Sequence, residues 1–378
     1  MKSYISRPLC TNKIEPFIGK DLIKVITDQR RICKSYILLQ ISDIIKEKTP
    51  EANIIFIDKE LLAFADMKNY MDLYQYVLKK AAGHNYNYLF VDEVQEIEEF
   101  QLCLRSLLNE NICDYCTGSN AKMLSGELAT HLAGRYIEFP VHSLSYEEFL
   151  RFNQLQDSPE SLRLYLMFGG MPYIHNLAMD INVIFEYLRN VYSTILLKDV
   201  VARESIRNVS FLENLVGYLV DNTGSLFSAQ NISKYLKSQQ VNIPTQTILN
   251  YLKALCNSFF VYKIQRAETQ GMKIFEIGEK YYFEDLGLHN AIRHHDFRRD
   301  INKLIENVVC IDLLRYGYEV YVGKNGNKEI DFIASQRDHK IYIQVAYMLL
   351  DEAAVQREFG NLLEIPDNYP KYVVTMDE

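Results

Sequence analysis

The sequence predicts a multidomain α/β protein whose first domain contains a parallel β-sheet. β-Branched runs typical of strands alternate with runs of helical period through the first 120 residues, a pattern that indicates a parallel sheet covered by helices. A Lys-Ser pair follows the first predicted strand, and an acidic pair ends the third. The chain has 378 residues, of which 48% are hydrophobic, so it can bury more than one core.

The predicted elements of this first domain follow one another in regular order. The strands span residues 21–27, 52–58, 86–97 and 112–120. The helices that follow the first three strands span residues 34–48, 71–83 and 98–110.

Composition narrows the classes of protein to consider. A formal charge of −8 excludes a uniformly basic surface, although a local basic patch remains compatible with it. The first residues contain no apolar signal core, and no apolar run reaches membrane-spanning length, so we expect a cytoplasmic protein without a membrane partner. Seven scattered cysteines indicate reduced thiols. Cys113 and Cys116 form a single C-x-x-C that we expect to pack within a strand rather than bind zinc.

The stretch from Val25 to Gln40 has the layout of a phosphate-binding loop. It ends a strand, turns, reaches Lys34-Ser35 and enters a helix, as in the pattern G-x-x-x-x-G-K-[ST]. The two glycine positions of that pattern hold Asp28 and Cys33 instead. The spacing alone therefore predicts either a nucleotide site or a degenerate one.

Replacing these glycines should weaken phosphate binding. Glycine lets backbone N–H groups approach phosphate and tolerates positive φ, whereas Cys33 adds a Cβ and a sulfur. Asp28 should place a negative charge at the mouth of the site. Each change would cost on the order of 1–3 kcal/mol, and Arg30 and Arg31 would offset part of the repulsion.

The third strand ends in Asp92-Glu93, at the carboxyl edge where open α/β sheets bind ligands. An aspartate there can hold Mg²⁺ through water, and the following glutamate can orient or deprotonate an attacking water. The alternative is a solvated acidic turn, since the stretch DEVQEIEEF is acidic throughout. Lys34-Ser35 at the matching strand–loop–helix junction favours the catalytic interpretation.

With these motifs, the chain resembles the AAA+-superfamily P-loop ATPases of bacteria and archaea that carry a C-terminal domain of unknown function. The resemblance runs nearly to the end of the chain. The matching residues are Arg30, Arg31, Lys34, Ser35, Asp92, Glu93, Thr117-Gly118-Ser119-Asn120, Gly134-Arg135-Tyr136 and Leu144-Ser145-Tyr146-Glu147-Glu148-Phe149.

The resemblance implies ATP and Mg²⁺ as cofactors and gives several residues a role. Lys34 would contact the β- and γ-phosphates, and Ser35 with Asp92 would hold Mg²⁺. Ser119 or Asn120 would sense the γ-phosphate. Arg135 would stabilise transition-state charge, in an oligomer on a neighbouring subunit; an ordinary surface salt bridge is its alternative role.

In the middle of the chain, the order of helix and strand patterns predicts a winged helix-turn-helix. Ser228 can cap a short helix, Pro244 lies near the start of a second, and two strands flank a hairpin at Gln270-Gly271. Residues 201–270 hold seven Lys or Arg against four Asp or Glu, a net charge of about +3. The partner of this module would be DNA or another protein. The second helix offers these polar side chains: Thr245, Gln246, Thr247, Asn250 and Lys253.

The last hundred residues resemble a restriction-endonuclease-like core. In that core a helix Glu, a strand Asp and an [E/Q]-x-K surround a metal, and the corresponding residues here are Glu306, Asp331 and Gln344. The lysine is missing, because its position holds Ala346. Lys328 on an adjacent strand is a substitute to consider, but we expect a domain that does not cleave.

The predicted organisation is a P-loop AAA+-like ATPase domain over residues 1–155, a helical and winged-helix region over 156–275, and a restriction-endonuclease-like domain over 276–378. Three functions follow. The first is a P-loop ATPase with weakened ATP binding that acts as a nucleotide-dependent switch. The second is a pseudo-ATPase scaffold or DNA- or protein-binding module. The third is a Mg²⁺-dependent DNA nuclease.

Overall fold

The computed structural model describes residues 4–119, 132, 134–269, 271–274, 278–292 and 297–377, without the side chains of 297–300. The chain forms two compact units. The first comprises Met1–His142 with Asn257–Phe259, and the second comprises Ser143–Cys256 with Phe260–Glu378. The domain boundaries predicted at residues 155 and 275 stay predictions.

The first unit contains a five-stranded parallel sheet. Its strands are β1 (Ile23–Thr27), β2 (Asn53–Asp58), β3 (Asn87–Asp92), β4 (Ile112–Gly118) and β5 (Tyr136–Pro140). They lie in the order β2-β3-β4-β1-β5, and every neighbouring pair is parallel. The predicted parallel sheet is therefore confirmed, and the carboxyl ends of its strands lie along one edge.

Four helices of the first unit are α1 (Pro8–Ile14), α2 (Lys34–Lys48), α3 (Tyr70–Ala81) and α4 (Phe100–Leu107). Short 3₁₀ segments lie at Glu15–Phe17, Leu62–Phe64, Val94–Glu96 and Leu108–Glu110. Alternate strand residues such as Val25 and Val91 pack with Leu73 and Leu104 from α3 and α4 in one core. The alternation follows from the two-residue period of a strand, which points neighbouring side chains to opposite faces.

The second unit begins with helices. These are α5 (Tyr146–Asn153), α6 (Pro159–Phe168), α7 (Ile181–Thr194), α8 (Val209–Asp221), α9 (Ala229–Ser238), α10 (Thr245–Asn257), α11 (Leu286–Ile292) and α12 (Phe297–Arg315), followed near the end of the chain by α13 (Glu352–Leu363). A 3₁₀ segment spans Pro172–Asn176, and a π-helix over Ile195–Ala202 continues α7. The hydroxyl of Ser228 accepts a hydrogen bond from Asn231 N at 3.2 Å, as its predicted capping role requires.

The remaining strands form a mixed sheet and a two-stranded ribbon. They are β6 (Val261–Ile264), β7 (Arg266–Glu268), β8 (Lys280–Phe283), β9 (Glu319–Asn325), β10 (Lys328–Gln336), β11 (His339–Val345) and β12 (Lys371–Val374). The mixed sheet has the order β12-β11-β10-β9-β7, and β6 pairs with β8.

The predicted hairpin around Gln270-Gly271 is only partly correct. Val261–Ile264 pairs in antiparallel register with Lys280–Phe283, not with the run that begins at Met272. A bridge joins Ala267 to Ile274, and β7 pairs with β9. After Gln265 the chain enters β7, which joins the mixed sheet.

Across the described parts of the chain, no helix is both long and apolar enough to cross a membrane.

Candidate functional site

The candidate site lies in the first unit, at the carboxyl edge of the parallel sheet. Residues 28–33 form a loop between β1 and α2, with Lys34 as the first residue of the helix. Asp92 ends β3, and Ser119 directly follows β4. Because β1, β3 and β4 are parallel neighbours or next neighbours, the sheet brings these side chains together.

Lys34 points back into its own loop. Its buried ammonium donates hydrogen bonds to the carbonyl oxygens of Asp28 at 2.9 Å and Gln29 at 2.7 Å. An ammonium has three N–H donors, so one further donor can serve a phosphate oxygen. Burial lowers the pKa of Lys34, while the carboxylates of Glu93, Asp28 and Asp92 act in the opposite direction.

Ser35 and Asp92 lie side by side. The Ser35 side chain hydrogen-bonds the Asp92 carboxylate, which also accepts a hydrogen bond from the hydroxyl of Thr117. Burial raises the pKa of Asp92, and these two hydrogen bonds lower it. A hydroxyl beside a carboxylate is a set of hard oxygen donors of the kind that Mg²⁺ prefers, so these two residues fit the cation.

Glu93 is held in a constrained backbone conformation, with φ 54° and ψ 52°. Its backbone N–H donates to the hydroxyl of Thr117 at 2.9 Å. Its carboxylate accepts hydrogen bonds from Ser119 at 3.2 Å and from Gln95, and lies 3.8 Å from Arg30. The carboxylate is therefore fixed in place by three neighbouring side chains.

Asp28 does not lie as the sequence predicts. Its carboxylate is fully buried, with Oδ2 3.6 Å from Nδ1 of His142, and Oδ1 accepts a hydrogen bond from Gln29 N. The expected negative charge at the mouth of the loop is instead turned into the protein. Repulsion of a triphosphate by Asp28 should accordingly be smaller than the sequence suggests, because the side chain is directed toward His142.

Cys33 occupies the left-handed region, with φ 69° and ψ 34°, and Arg31 has φ 73°. Left-handed backbone favours glycine, because a Cβ approaches the following carbonyl, at a cost of roughly 1–2 kcal/mol for other residues. The loop therefore keeps a glycine-like backbone at position 33 with a side chain added. Burial raises the pKa of the Cys33 thiol, against the positive charges of Arg7 and Lys34.

Sequence reasoning missed Arg7. This side chain is only 2% exposed and donates hydrogen bonds to the carbonyl oxygens of Ile32 at 3.3 Å and His142 at 2.9 Å. Its backbone N–H donates to Oε1 of Gln40 on α2 at 2.9 Å. Nothing in the sequence marks Arg7, since it precedes the sheet and belongs to no motif. Thr117 was visible within the Thr-Gly-Ser-Asn motif but had no role assigned to it.

One predicted residue, Arg135, lies apart from this arrangement. Arg135 is exposed at the amino end of β5, and its carbonyl accepts a hydrogen bond from Ile23 N at 2.9 Å. Because β1 and β5 are parallel, this is the opposite edge of the sheet from the phosphate loop. Asn120 lies outside the described residues.

A second polar cluster lies in the second unit, and it contains an unpredicted lysine. The ammonium of Lys280, on β8, lies 2.8 Å from Glu306, 2.9 Å from Glu329 and 3.9 Å from Asp331. Gln344 Oε1 accepts a hydrogen bond from Asp331 N at 3.3 Å. The structure thus brings the three predicted nuclease-like residues together.

The lysine of this cluster, Lys280, lies on β8 and not on the strand of Lys328. Lys328, the substitute considered from the sequence, is directed elsewhere and pairs with Glu364 at 2.6 Å. Lys280 has a side chain that is only 3% exposed, and its three carboxylate partners raise its pKa despite burial. Its single ammonium offsets the charge of one of these three carboxylates, so carboxylate oxygens remain in the cluster for a divalent ion.

The helices α9 and α10 present a polar face. Gln246, Asn250 and Lys253 are exposed at helical spacing on α10, and Gln246 donates a hydrogen bond to Asn250 at 3.0 Å. Thr245 and Thr247 are half-buried, and the apolar positions Ile248 and Leu252 pack inward. Three of the five predicted contact residues are therefore exposed to solvent.

Comparisons with known proteins give two matches to family models. A family model of an AAA domain matches residues 20–150, and a model of a domain of unknown function, DUF8612, matches residues 159–300. Among solved structures, Cdc6p from Pyrobaculum aerophilum aligns at 12% identity over 77% of this chain and 95% of that chain, with a TM-score of 0.33. Because this TM-score is low, the family of the chain is decided by the sequence matches alone.

Two relatives match across most of their length. An uncharacterized protein of Haemophilus influenzae is 34% identical over 384 residues, covering 99% of this chain and 94% of that protein. An uncharacterized protein of Methanocaldococcus jannaschii is 30% identical over 355 residues, covering 89% of this chain and 77% of that protein. The resemblance inferred from the motifs is confirmed. The chain belongs to the family of these relatives, AAA+ P-loop ATPases that join an AAA domain to a C-terminal domain of unknown function.

Proposed function

We propose that this protein binds MgATP at its phosphate loop, with reduced affinity, and acts as a nucleotide-dependent switch. The observation that carries the proposal is the hydrogen-bonded set of Ser35, Asp92 and Thr117 beside the buried ammonium of Lys34. These groups lie at the carboxyl edge of a parallel sheet, the place where open α/β sheets bind ligands.

Each residue has a proposed task. The third N–H of Lys34 binds a phosphate oxygen, and Ser35 with Asp92 holds Mg²⁺, which when bound would neutralise phosphate charge. Glu93 orients the attacking water, and its fixed carboxylate suits that task because it is held by neighbours on both sides. Ser119 reports on the γ-phosphate through its hydrogen bond with Glu93, and Arg30 supplies compensating positive charge.

The reduced affinity is assigned chiefly to Cys33. Its left-handed backbone preserves the shape of the loop, but its Cβ and sulfur lie where a glycine would let phosphate approach the N–H groups. Arg135 is proposed to act on a neighbouring subunit, because it lies at the opposite sheet edge from the loop of its own chain.

The test is MgATP affinity and turnover. We expect the native protein to bind and hydrolyse MgATP, Lys34→Ala to lose both, and Asp28→Gly/Cys33→Gly to bind about tenfold to a hundredfold more tightly. Lys46→Ala, an exposed lysine later on the same helix, is the matched control and should behave as native. If the native protein matches Lys34→Ala in both measurements, the switch fails and the pseudo-ATPase scaffold replaces it.

A second candidate function is DNA contact through α9 and α10. The exposed face of Gln246, Asn250 and Lys253 favours it, since these side chains can reach base edges or phosphates. At low salt, Lys253→Ala should bind a labelled duplex more weakly than the native protein and with a shallower salt dependence, whereas Lys46→Ala should bind as the native protein does. Equal binding by both variants and the native protein would assign the face to a protein partner.

For the second unit we propose a nuclease-like cluster that does not cleave. Ala346 supports this, because it stands where the nuclease-like pattern has a lysine, and Lys280 is instead paired with Glu306 and Glu329. Plasmid DNA should remain intact with Mg²⁺ or Mn²⁺. Cleavage that is lost in Asp331→Ala would reverse this assignment and favour the nuclease.

A further inference from the structure

The side-chain amide of Gln95 lies beside the candidate site. Gln95 is the middle residue of the short 3₁₀ segment Val94–Glu96, which directly follows Glu93 in the first unit. Its Nε2 donates hydrogen bonds to the carboxylate of Glu93 and, at 3.4 Å, to the hydroxyl of Ser119. Its Oε1 is buried and has no hydrogen-bond partner within the described part of the chain. Leaving a buried acceptor unpaired costs free energy, so this oxygen beside a candidate catalytic carboxylate indicates a donor that arrives with the substrate.

The neighbours of this amide decide which of its atoms faces Glu93. An ionised carboxylate has only acceptor atoms, so the N–H groups of Gln95 face it rather than the oxygen. The hydroxyl of Ser119 donates to Glu93 at 3.2 Å, so it can accept from Gln95 but has no second hydrogen to donate. With the amide turned over, Oε1 would meet two groups that offer it no hydrogen. Oε1 is therefore the acceptor that remains available.

The backbone after β3 fixes the position of this amide. Glu93 has the left-handed conformation, with φ 54° and ψ 52°, at the point where the strand gives way to the 3₁₀ segment. Glu96 N then donates to the carbonyl of Glu93 at 3.0 Å. The buried side chains of Val94 and Ile97 anchor the turn in the core of the first unit. Left-handed residues other than glycine persist where the surrounding structure holds them, and they are frequent at active sites. The backbone and the core thus hold Gln95 beside Glu93.

Hydrolysis of ATP needs a water whose oxygen points at the γ-phosphorus. A water has two hydrogens, and a single acceptor such as Glu93 leaves it free to turn about one hydrogen bond. A second acceptor removes this freedom and directs a lone pair of the oxygen at the phosphorus. Because Nε2 is bonded to the Glu93 carboxylate, the Oε1 of the same amide lies within reach of a water that is itself bonded to that carboxylate.

We propose that Gln95 positions the attacking water together with Glu93: its Nε2 holds the carboxylate, and its Oε1 accepts a hydrogen bond from the water. The inference rests on the proposed function and adds a residue to the same site. In the reaction the water oxygen bonds to the γ-phosphorus while the bond from that phosphorus to the bridging oxygen breaks, and its electron pair stays on ADP. One water proton passes to Glu93, which later releases it to solvent, and the other remains on the phosphate that forms.

The first test compares turnover with binding. Gln95→Met has a similar length and removes both hydrogen-bonding atoms. We expect its kcat for ATP to fall by about tenfold to a hundredfold, while its dissociation constant for MgATP stays within about twofold of the native value. Gln101→Met makes the same chemical change at a half-buried residue of α4 and should behave as the native protein does. A native kcat in Gln95→Met would overturn the proposal.

The second test uses a mimic of the transition state. A complex of MgADP with aluminium fluoride imitates the transferred phosphoryl group with the attacking water beside it, whereas MgADP alone does not. Gln95→Met should bind the aluminium fluoride complex more weakly by about the same factor as its loss of kcat, and should bind MgADP as tightly as the native protein does. Equal weakening for both ligands would mean that Gln95 only supports the shape of the site, and the proposal would be wrong.

A double variant separates the two atoms of the amide. Glu93→Gln removes the carboxylate that Nε2 holds, so any further effect of Gln95→Met in that background comes from its contact with the water. We expect the double variant to bind the aluminium fluoride complex about threefold to tenfold more weakly than Glu93→Gln alone. Equal binding would show that Gln95 acts only through Glu93 and would remove the role of Oε1. Absence of MgATP binding to the native protein would instead defeat the proposed function, and this inference with it.

Discussion

Thr117 on β4 donates a hydrogen bond from its hydroxyl to the carboxylate of Asp92 at the end of β3. The hydroxyl oxygen of Thr117 in turn accepts a hydrogen bond from the backbone N–H of Glu93 at 2.9 Å. One hydroxyl therefore fixes both acidic residues of the site, orienting the side chain of the first and the backbone of the second. The parallel pairing of β3 with β4 makes this contact possible.

Thr117→Val should lower MgATP turnover more than it lowers the stability of the fold. The substitution keeps the shape but leaves a buried carboxylate oxygen and a buried N–H without this partner, at a cost of about 1–3 kcal/mol. We expect MgATP turnover to fall by about tenfold or more. Thr117→Ser keeps the hydroxyl and serves as the control; a turnover in Thr117→Val equal to that of Thr117→Ser would contradict the role of the hydroxyl.

Cys33→Gly should increase MgATP affinity, and Cys33→Ala should not. Both variants remove the sulfur, but only glycine removes the Cβ from the left-handed position at φ 69°. We expect a dissociation constant lower by about tenfold for Cys33→Gly, measured by calorimetry. If alanine gave the same gain, the sulfur rather than the Cβ would be responsible for the weak binding.

Arg135 should act between subunits. A mixture of Lys34→Ala protein, which keeps Arg135, with Arg135→Ala protein, which keeps Lys34, should regain part of the ATP turnover that each variant lacks alone. The reason is geometric, since Arg135 lies at the opposite edge of the sheet from the loop of its own chain. Turnover of the mixture that equals the average of the two separate proteins would leave Arg135 as a surface residue.

Lys280→Met should destabilise the protein strongly. It removes the ammonium partner of Glu306 and Glu329, with Asp331 also nearby, from a site where the lysine side chain is 3% exposed. Breaking one side of a buried ion pair costs about 3–5 kcal/mol. Lys263→Met, whose side chain is 39% exposed beside Glu279, is the matched control and should cost less than about 1 kcal/mol. Urea unfolding of the two variants measures the difference, and similar small losses would show that the cluster is not stabilising.

Asp285 should make stability depend on pH. Burial raises the pKa of its carboxyl to about 7, even though the N–H groups of Leu288, Gly170 and Gly287 favour the ionised form. An unfolded aspartate has a pKa of about 3.9, so between these values the folded state binds more protons. The free energy of unfolding should therefore fall as pH rises from about 4 to 7, by up to about 1.4 kcal/mol per pH unit.

Asp285→Asn provides the comparison for that slope. Asparagine does not titrate, so the contribution of residue 285 should vanish whatever the absolute stability of the variant. The free energy of unfolding of the two proteins is measured with urea at pH 5, 6, 7 and 8. Below pH 7, the native protein should lose up to about 1.4 kcal/mol more per pH unit than Asp285→Asn. Parallel slopes would mean that Asp285 titrates near its ordinary pKa in the folded protein.

The sequence by itself determined the first sheet, its helices and most residues of the candidate site. Strands such as Ile23–Thr27 and Asn87–Asp92 are short apolar runs bounded by turns, and their local pattern is sufficient to identify them. Lys34-Ser35 and Asp92-Glu93 were recognisable because a strand end followed by such residues is a local feature. The meeting of Glu306, Asp331 and Gln344 followed from resemblance.

Only the tertiary structure decided the rest. Whether the Asp28 carboxylate faces phosphate or His142 depends on β5, which lies more than a hundred residues along the chain. Lys280 reaches Glu306 because β6 pairs with β8 rather than with its immediate successor, a choice between competing partners that local pattern does not resolve. Arg7 carries no motif, and its role arises because two distant carbonyl groups, of Ile32 and His142, are buried together and need a donor. Spacing in the sequence identifies residues whose role depends on their neighbours along the chain. The partners of buried charges and hydrogen-bonding groups depend instead on which helices and strands pack together.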